Sequence, residues 1–184
     1  MANIFIVGSK PQAVWPDVAP DQIYTANGAL ARVQSWANEG VPVTAFLYRY
    51  FFKNHPKYNH TPTVEAVNGC VAERIIVSGG AGRTKDFVTA EDRGLRYNER
   101  HDLSRRAAFL LKLRFAGLRL FPEEFGRLAQ SPSAYCQALR KTRMLDSFSC
   151  STGMLALLYA ASCARAGDQL NLIGVGAARD TGHF

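Results

Sequence analysis

Asn3-Ile4-Phe5-Ile6-Val7-Gly8-Ser9-Lys10-Pro11 opens the chain with a short apolar run that breaks at a glycine and a polar turn, the pattern of a buried strand and its loop. Outward from it, Gln22-Ile23-Tyr24-Thr25-Ala26-Asn27-Gly28-Ala29-Leu30 repeats the pattern with an Asn-Gly turn, and Val41-Pro42-Val43-Thr44-Ala45-Phe46-Leu47-Tyr48 gives a third strand. Between the last two lies a helix-length segment, Ala29 to Asn38. Strands alternating with helix-length segments predict an α/β fold, read here as a single Rossmann-like nucleotide-binding domain over residues 1–184, its sheet mostly parallel and flanked by helices. In such sheets ligands sit at the carboxyl ends of the strands. Ser9, Lys10, Asn27, Gly28, Ser78, Gly79, Gly80 and Gly176 each fall just after an expected strand, which would place them along one crevice. Turn chemistry alone also favours Gly, Asn and Ser at such junctions, so each residue singly supports both readings.

The far end of the chain carries a second informative stretch, Phe148-Ser149-Cys150-Ser151-Thr152-Gly153-Met154-Leu155-Ala156-Leu157-Leu158-Tyr159, followed by Leu170-Asn171-Leu172-Ile173-Gly174-Val175-Gly176 and Gly182-His183-Phe184. It reads as hydroxyl-rich turn, helix, buried strand, glycine turn and histidine. Ser149, Ser151 and Thr152 can each accept from the unpaired amides of a first helical turn, and Gly153 lets a ligand approach the backbone. A helix start so dressed attracts anions. An N-cap on a core helix, with no ligand, needs the same residues.

Taken together, Ile4-Phe5-Ile6-Val7-Gly8-Ser9-Lys10-Pro11, Tyr24-Thr25-Ala26-Asn27, Cys150-Ser151-Thr152-Gly153, Gly174-Val175-Gly176 and Gly182-His183-Phe184 resemble the sialylmotifs of the sialyltransferases, of animal and bacterial type. The first two blocks look like the long motif, and Ser151-Thr152-Gly153 looks like the Ser/Thr-Ser/Thr-Gly turn of the short one. The resemblance implies a GT-A-like variant of the nucleotide-binding fold, with Gly8, Ser9, Lys10, Asn27, Ser151, Thr152, Gly153 and Gly176 holding a cytidine monophosphate sugar donor. It gives His183 the place of the third-motif histidine, as phosphate contact or catalytic base. It covers about the first thirty and last thirty-five residues. Three departures stand out. The first loop has Gly8-Ser9 where the family usually has Gly-Asn; Cys150 has no cysteine near the N-terminus to pair with; and the family's base lies downstream of the third motif, whereas this sequence stops at Phe184.

The implied reaction is transfer of a sugar, sialic acid by resemblance, from its cytidine monophosphate donor to a hydroxyl of a glycan or lipid-linked glycan. The leaving phosphate departs well, so the protein must supply orientation, charge stabilisation at that phosphate and one base. Metal independence and no cofactor are expected, because this chemistry does not require a metal and the sequence has no Asp-x-Asp pair of the kind that holds a divalent ion on a nucleotide sugar. Two other readings stay open: a nucleotide-dependent phosphotransferase, which would need a divalent metal, and a nucleotide- or glycan-binding module without catalysis.

At 184 residues with 47% apolar composition the chain is long enough for a substantial core. A run of apolar residues long enough to span a bilayer is not found and the N-terminus begins directly with a strand, so neither a membrane span nor a signal peptide is expected and a cytoplasmic location is. Cys70, Cys136, Cys150 and Cys163 lack metal-ligand spacing and read as reduced thiols. The net charge of +7 concentrates in the second half. There, residues 103–121 alternate Ala107, Phe109, Leu110, Leu111, Leu113, Phe115 and Leu118 with basic side chains, as in a basic amphipathic helix. That helix either packs on the core with a solvated basic face or rests peripherally on the inner, anionic membrane face. Nucleic acid is not an expected partner, since charge is unaccompanied by any binding motif. The aromatic-rich segment after the third strand, with Tyr48, Tyr50, Phe51, Phe52, His55, Tyr58 and His60, offers a wall for donor or acceptor, or a core edge under a loop. His55, His60 and His101 are the candidate bases if His183 is not. Ser78-Gly79-Gly80-Ala81-Gly82-Arg83-Thr84-Lys85 is either a phosphate-holding loop or a flexible connection.

Overall fold

The computed structural model describes residues 1–10, 13–78, 88–104, 107, 108, 111 and 151–175. Six strands form one sheet: β1 (Asn3–Val7), β2 (Gln22–Ala26), β3 (Val43–Tyr48), β4 (Val71–Ser78), β5 (Arg96–Leu103) and β6 (Gln169–Ile173). Their order is β5-β4-β3-β2-β1-β6, and every described pairing is parallel, from Phe5 beside Ile23 to Ile75 beside Arg100. The fold is therefore α/β with an all-parallel sheet, as the alternating pattern predicts.

Side chains one residue apart on a strand face opposite ways, so each buried strand feeds two cores. Phe5, Val7, Ile23, Val43, Ala45, Leu47, Ile75 and Val77 fill one face. Over it lie a 3-10 helix at Asn27–Val33, through Ala29, Leu30 and Val33, with α1 (Gln34–Asn38) continuing it, and α3 (Pro62–Val67), through Val64 and Val67; α2 (Pro56–Asn59) precedes α3. Trp15 and Trp36 close that face, their rings 5.0 Å apart and each near Phe5. On the other face Ile4, Ile6, Tyr24, Phe46 and Ile76 meet α4 (Thr152–Cys163), through Leu155, Ala156 and Ala160. Tyr159 of α4 sets its ring 5.3 Å from Phe46 and 6.2 Å from Tyr24. Burial pushes the Tyr24 and Tyr159 hydroxyls up, so both stay neutral core groups.

The local structure departs from the expected one in three places. The helix expected over Ala29 to Asn38 begins two residues earlier, at Asn27, and its first half is 3-10. Asn27 has φ of 51°, a left-handed conformation that Asn tolerates and β-branched residues do not. The strand thus ends at Ala26, and Asn27-Gly28 starts the next element instead of forming a turn. β5 carries Arg96, Asn98, Glu99, Arg100 and His101 and gives no apolar signal; it is an edge strand, and its charged side chains are held by partners such as Arg74, 2.7 Å from Glu99. The expected basic helix at 103–121 lies almost wholly outside the described residues, as do Gly79, Gly80, Arg83, Lys85, Cys136 and Cys150. Cys70 and Cys163 are free thiols, Cys70 buried and Cys163 exposed. No helix among the described residues is long and apolar enough to cross a membrane.

Candidate functional site

Strands β1 to β5 step steadily in one direction, and the chain then returns to lay β6 on the opposite side of β1. This reversal between β1 and β6 is where a parallel sheet opens a crevice at its carboxyl edge. α4 precedes a parallel strand and so runs back across the sheet, which brings its N-terminus to that same edge.

The crevice is present as a cleft of about 500 Å³. Ser9 contributes from the loop after β1, Asn27, Gly28, Ala29 and Arg32 from the 3-10 helix after β2, Pro62, Thr63 and Ala66 from α3, and Ser151 and Thr152 from the start of α4. Residues 142 positions apart thus share one wall. A second compartment of about 300 Å³ continues it along the strand ends, sharing Asn27, Pro62 and Thr63 and adding Tyr48, Tyr50, Phe51 and Thr61.

Ser151 is the N-cap of α4: its Oγ accepts from the Met154 N–H at 3.2 Å, and its carbonyl from the Leu155 N–H at 3.0 Å. Helix geometry leaves the amides of the first positions without intrahelical partners, and the helix places roughly half a positive charge there. With Thr152 in the wall, hydroxyl and dipole face one space. Gly153 stands behind the wall, where a Cβ would be 3.8 Å from Val175 Cγ1 and 3.9 Å from the Ala26 Cβ, ordinary contacts. Its glycine is not demanded by crowding.

Crowding does demand a glycine at Gly8. Its N–H donates to the Ile173 carbonyl at 2.8 Å, and a Cβ there would overlap the Gly174 carbonyl and lie 3.0 Å from Val175 Cα. Gly8 therefore lies buried between the β1 and β6 loops, and its role is to let them touch. Gly174 has φ of 63° and would bring a Cβ within 2.7 Å of the Lys10 carbonyl. Lys10 is exposed beyond the cleft wall; its backbone N–H donates to the Gly174 carbonyl at 3.2 Å.

Arg32 holds this corner together and escaped the sequence reading. Its Nη1 donates to the Gly8 carbonyl at 3.0 Å and to the Lys10 carbonyl at 2.7 Å, and its guanidinium lies 5.3 Å from the Trp15 ring centre. The site thereby has a fixed cation in its wall. Its position shortly after Asn27-Gly28 in a helical segment was the available signal. Thr63 was also missed, although Thr61-Pro62 marks the start of α3: Thr61 Oγ1 accepts from the Val64 N–H at 3.4 Å, with Pro62 in the first turn. Asn27 links the compartments, its Oδ1 accepting from the Tyr48 N–H at 3.3 Å.

Of the other candidates, Ser78 is buried and donates to the Leu47 carbonyl at 3.4 Å, a structural contact within the sheet. His55 caps α2, its Nδ1 accepting from the Lys57 N–H at 3.2 Å, and His101 lies 3.4 Å from Glu99 on the outer strand. His60 belongs to a separate hollow with Asp92 and Arg93. The described histidines therefore stand outside the cleft wall. Gly176 and His183 lie outside the described residues, and no cluster of metal-ligating side chains occurs among the described ones. Comparison with models of known protein families, with curated proteins and with solved structures finds no match.

Proposed function

We propose that this chain is a sialyltransferase-like glycosyltransferase, which transfers a sugar from a cytidine monophosphate donor, cytidine monophosphate sialic acid, to a hydroxyl of a glycan acceptor without a metal. One observation carries the reading. The two sequence blocks that resemble donor-binding motifs, Ser9 with Asn27 and Ser151 with Thr152, are remote in sequence and line the same cleft at the sheet's carboxyl edge.

The chemistry then divides among the wall residues. The acceptor oxygen forms a bond to the anomeric carbon as the bond from that carbon to the phosphate oxygen breaks. The electron pair of the broken bond stays on the phosphate, and the acceptor proton passes to a base. At the start of α4 the developing phosphate charge meets first-turn amides, the Thr152 hydroxyl and the positive end of the helix dipole. Arg32 adds a cation anchored by two backbone carbonyls, so it needs little reorganisation as charge develops. The sequence resemblance assigns His183 to the phosphate or to the base role.

Calorimetric titration with cytidine monophosphate, beside the uridine and adenosine monophosphates and in EDTA, tests the reading. Selective cytidine binding that survives EDTA is expected. Thr152→Ala is expected to weaken it about tenfold, the worth of one hydrogen bond to a charged group. Absence of nucleotide binding sinks the proposal, a requirement for divalent metal favours a phosphotransferase, and binding without turnover on cytidine monophosphate sialic acid favours a binding module.

A further inference from the structure

The two edges of the sheet are built differently. β5 carries Arg96, Glu99, Arg100, His101 and Asp102, charges that discourage pairing with a further strand. β6 reads Gln169-Leu170-Asn171-Leu172-Ile173 and carries no charge, and among the described residues nothing pairs with its far side. Leu170 and Leu172 are 37% and 54% exposed there. By register they share a face of the sheet with Ile4 and Ile6, over which α4 packs, yet α4 leaves both leucines open.

The hydrogen bonds to β1 determine which backbone groups this edge offers. The Gln169 N–H donates to the Ala2 carbonyl at 2.9 Å, and the Ile173 carbonyl accepts from the Gly8 N–H at 2.8 Å. Backbone groups of alternate residues point to the same side of a strand, so Gln169, Asn171 and Ile173 are engaged with β1. The N–H and C=O groups of Leu170 and Leu172 therefore point outward, on the same two residues whose side chains are exposed.

We propose that β6 is the interface for a second copy of this chain, paired antiparallel about a two-fold axis through Asn171. In that register Leu170 lies opposite the partner's Leu172, and Leu172 opposite the partner's Leu170. Each is a hydrogen-bonded pair that exchanges two N–H···O=C bonds, so the outward donors and acceptors of both leucines are all satisfied. The four leucines meet on the α4 side of the sheet, and Asn171 opposes its own copy on the other side without charge. Neighbouring registers fit worse. An axis through Leu170 sets Asp168 against the partner's Leu172, and one through Leu172 sets Leu170 against the partner's Gly174, whose φ of 63° has left the strand conformation. The other edge is not a match either: β5 would set charged side chains against the leucines, and β5 on itself about Glu99 or Arg100 opposes like charges. The two-fold closes the assembly at two chains with one continuous sheet, its two clefts at opposite edges. A five-residue strand with two leucines from each chain is a small interface, so a reversible dimer in the micromolar range is expected. The inference is independent of the proposed function.

Sedimentation velocity of the full chain, from about 1 to about 200 μM, tests the interface. Wild type is expected to shift from one chain to two across that range. Leu172→Lys sets a charge of the same sign from each chain into the leucine cluster and is expected to stay monomeric throughout. Its melting midpoint at low concentration should match wild type, since the side chain is already half exposed. Register is read by oxidising Asn171→Cys, with wild type as the control for the native thiols. A non-hydrogen-bonded antiparallel pair holds its Cα atoms about 4.5 Å apart, within disulfide reach, so a linked dimer is expected. Gln169→Cys faces the partner's Ile173 and is expected to link no more than wild type. A chain that remains monomeric at the highest concentration overturns the proposal. So does a dimer that survives Leu172→Lys, because the copies then meet on another surface, and so does equal linkage at positions 169 and 171. Where Leu172→Lys fails to fold, the linkage comparison decides alone.

Discussion

Gly8 and Ser151 show how differently two residues of one cleft act. Gly8 touches no ligand space; it lets the β1 loop lie on the Gly174 carbonyl, where any side chain collides with backbone that cannot swing away. Gly8→Ala is expected to cost about 1–3 kcal/mol, the usual range for overpacking, read from the denaturant midpoint. It should also weaken nucleotide binding, since Ser9 and the carbonyls held by Arg32 move with that loop. Ser151 has a structural duty and a place in the wall at once. Ser151→Ala removes the acceptor for the Met154 N–H and is expected to cost about 0.5–2 kcal/mol in stability, with binding lost in addition. Thr152 has no cap to keep, so Thr152→Ala should lose binding while leaving the denaturation midpoint close to wild type. That contrast between neighbours separates cradle from cap.

Elements place these residues, and α4 is the one on which the site depends most. It is apolar nearly all round, and its inner side puts Leu155, Ala156 and Ala160 on β1, β2 and β3. Truncation at Leu155 leaves a hole between helix and sheet that neither backbone can close. Leu155→Ala is expected to cost about 2–5 kcal/mol by thermal or chemical denaturation, and in the folded fraction to loosen the helix start. α4 was readable in advance, because a hydroxyl cap followed by an apolar run has one local solution. The 3-10 segment after β2 was less so: its first residue could equally have closed a turn, and its left-handed Asn27 is stabilised by the amide of Tyr48, far along the chain. β5 was unreadable for the opposite reason. Its polar side chains satisfy no core, and only pairing with β4 makes it a strand.

At the scale of the whole molecule, Asp168 ties the chain's beginning to its last described strand. Its Oδ1 accepts from the Ala2 N–H at 2.9 Å and its Oδ2 from the Arg165 N–H at 2.8 Å, just where β6 aligns with β1. These hydrogen bonds, that from Arg165 first, hold its carboxyl below the usual carboxylate range. A carboxyl depressed on folding contributes stability that is complete above its unfolded pKa, about 4, and is lost as pH falls through the folded value. Asp168→Asn keeps one carbonyl acceptor only. Its deficit in denaturant midpoint relative to wild type should be full at neutral pH and shrink below about pH 4; a deficit that does not change with pH would refute the assignment. The sequence by itself determined the α/β class, the buried strands β1 to β3, the capped helix at Ser151 and the glycine-marked junctions, because hydrophobic period, cap chemistry and turn residues are local properties written within a few residues. Only the tertiary structure decided that Ser9, Asn27, Ser151 and Thr152 share a wall, that Arg32 and Thr63 stand in it, and that Gly8 serves contact between loops while Lys10 lies outside. The physical reason is the strand order. A reversal between β1 and β6 joins residues more than a hundred positions apart, and no local pattern records which strand a given strand will pair with.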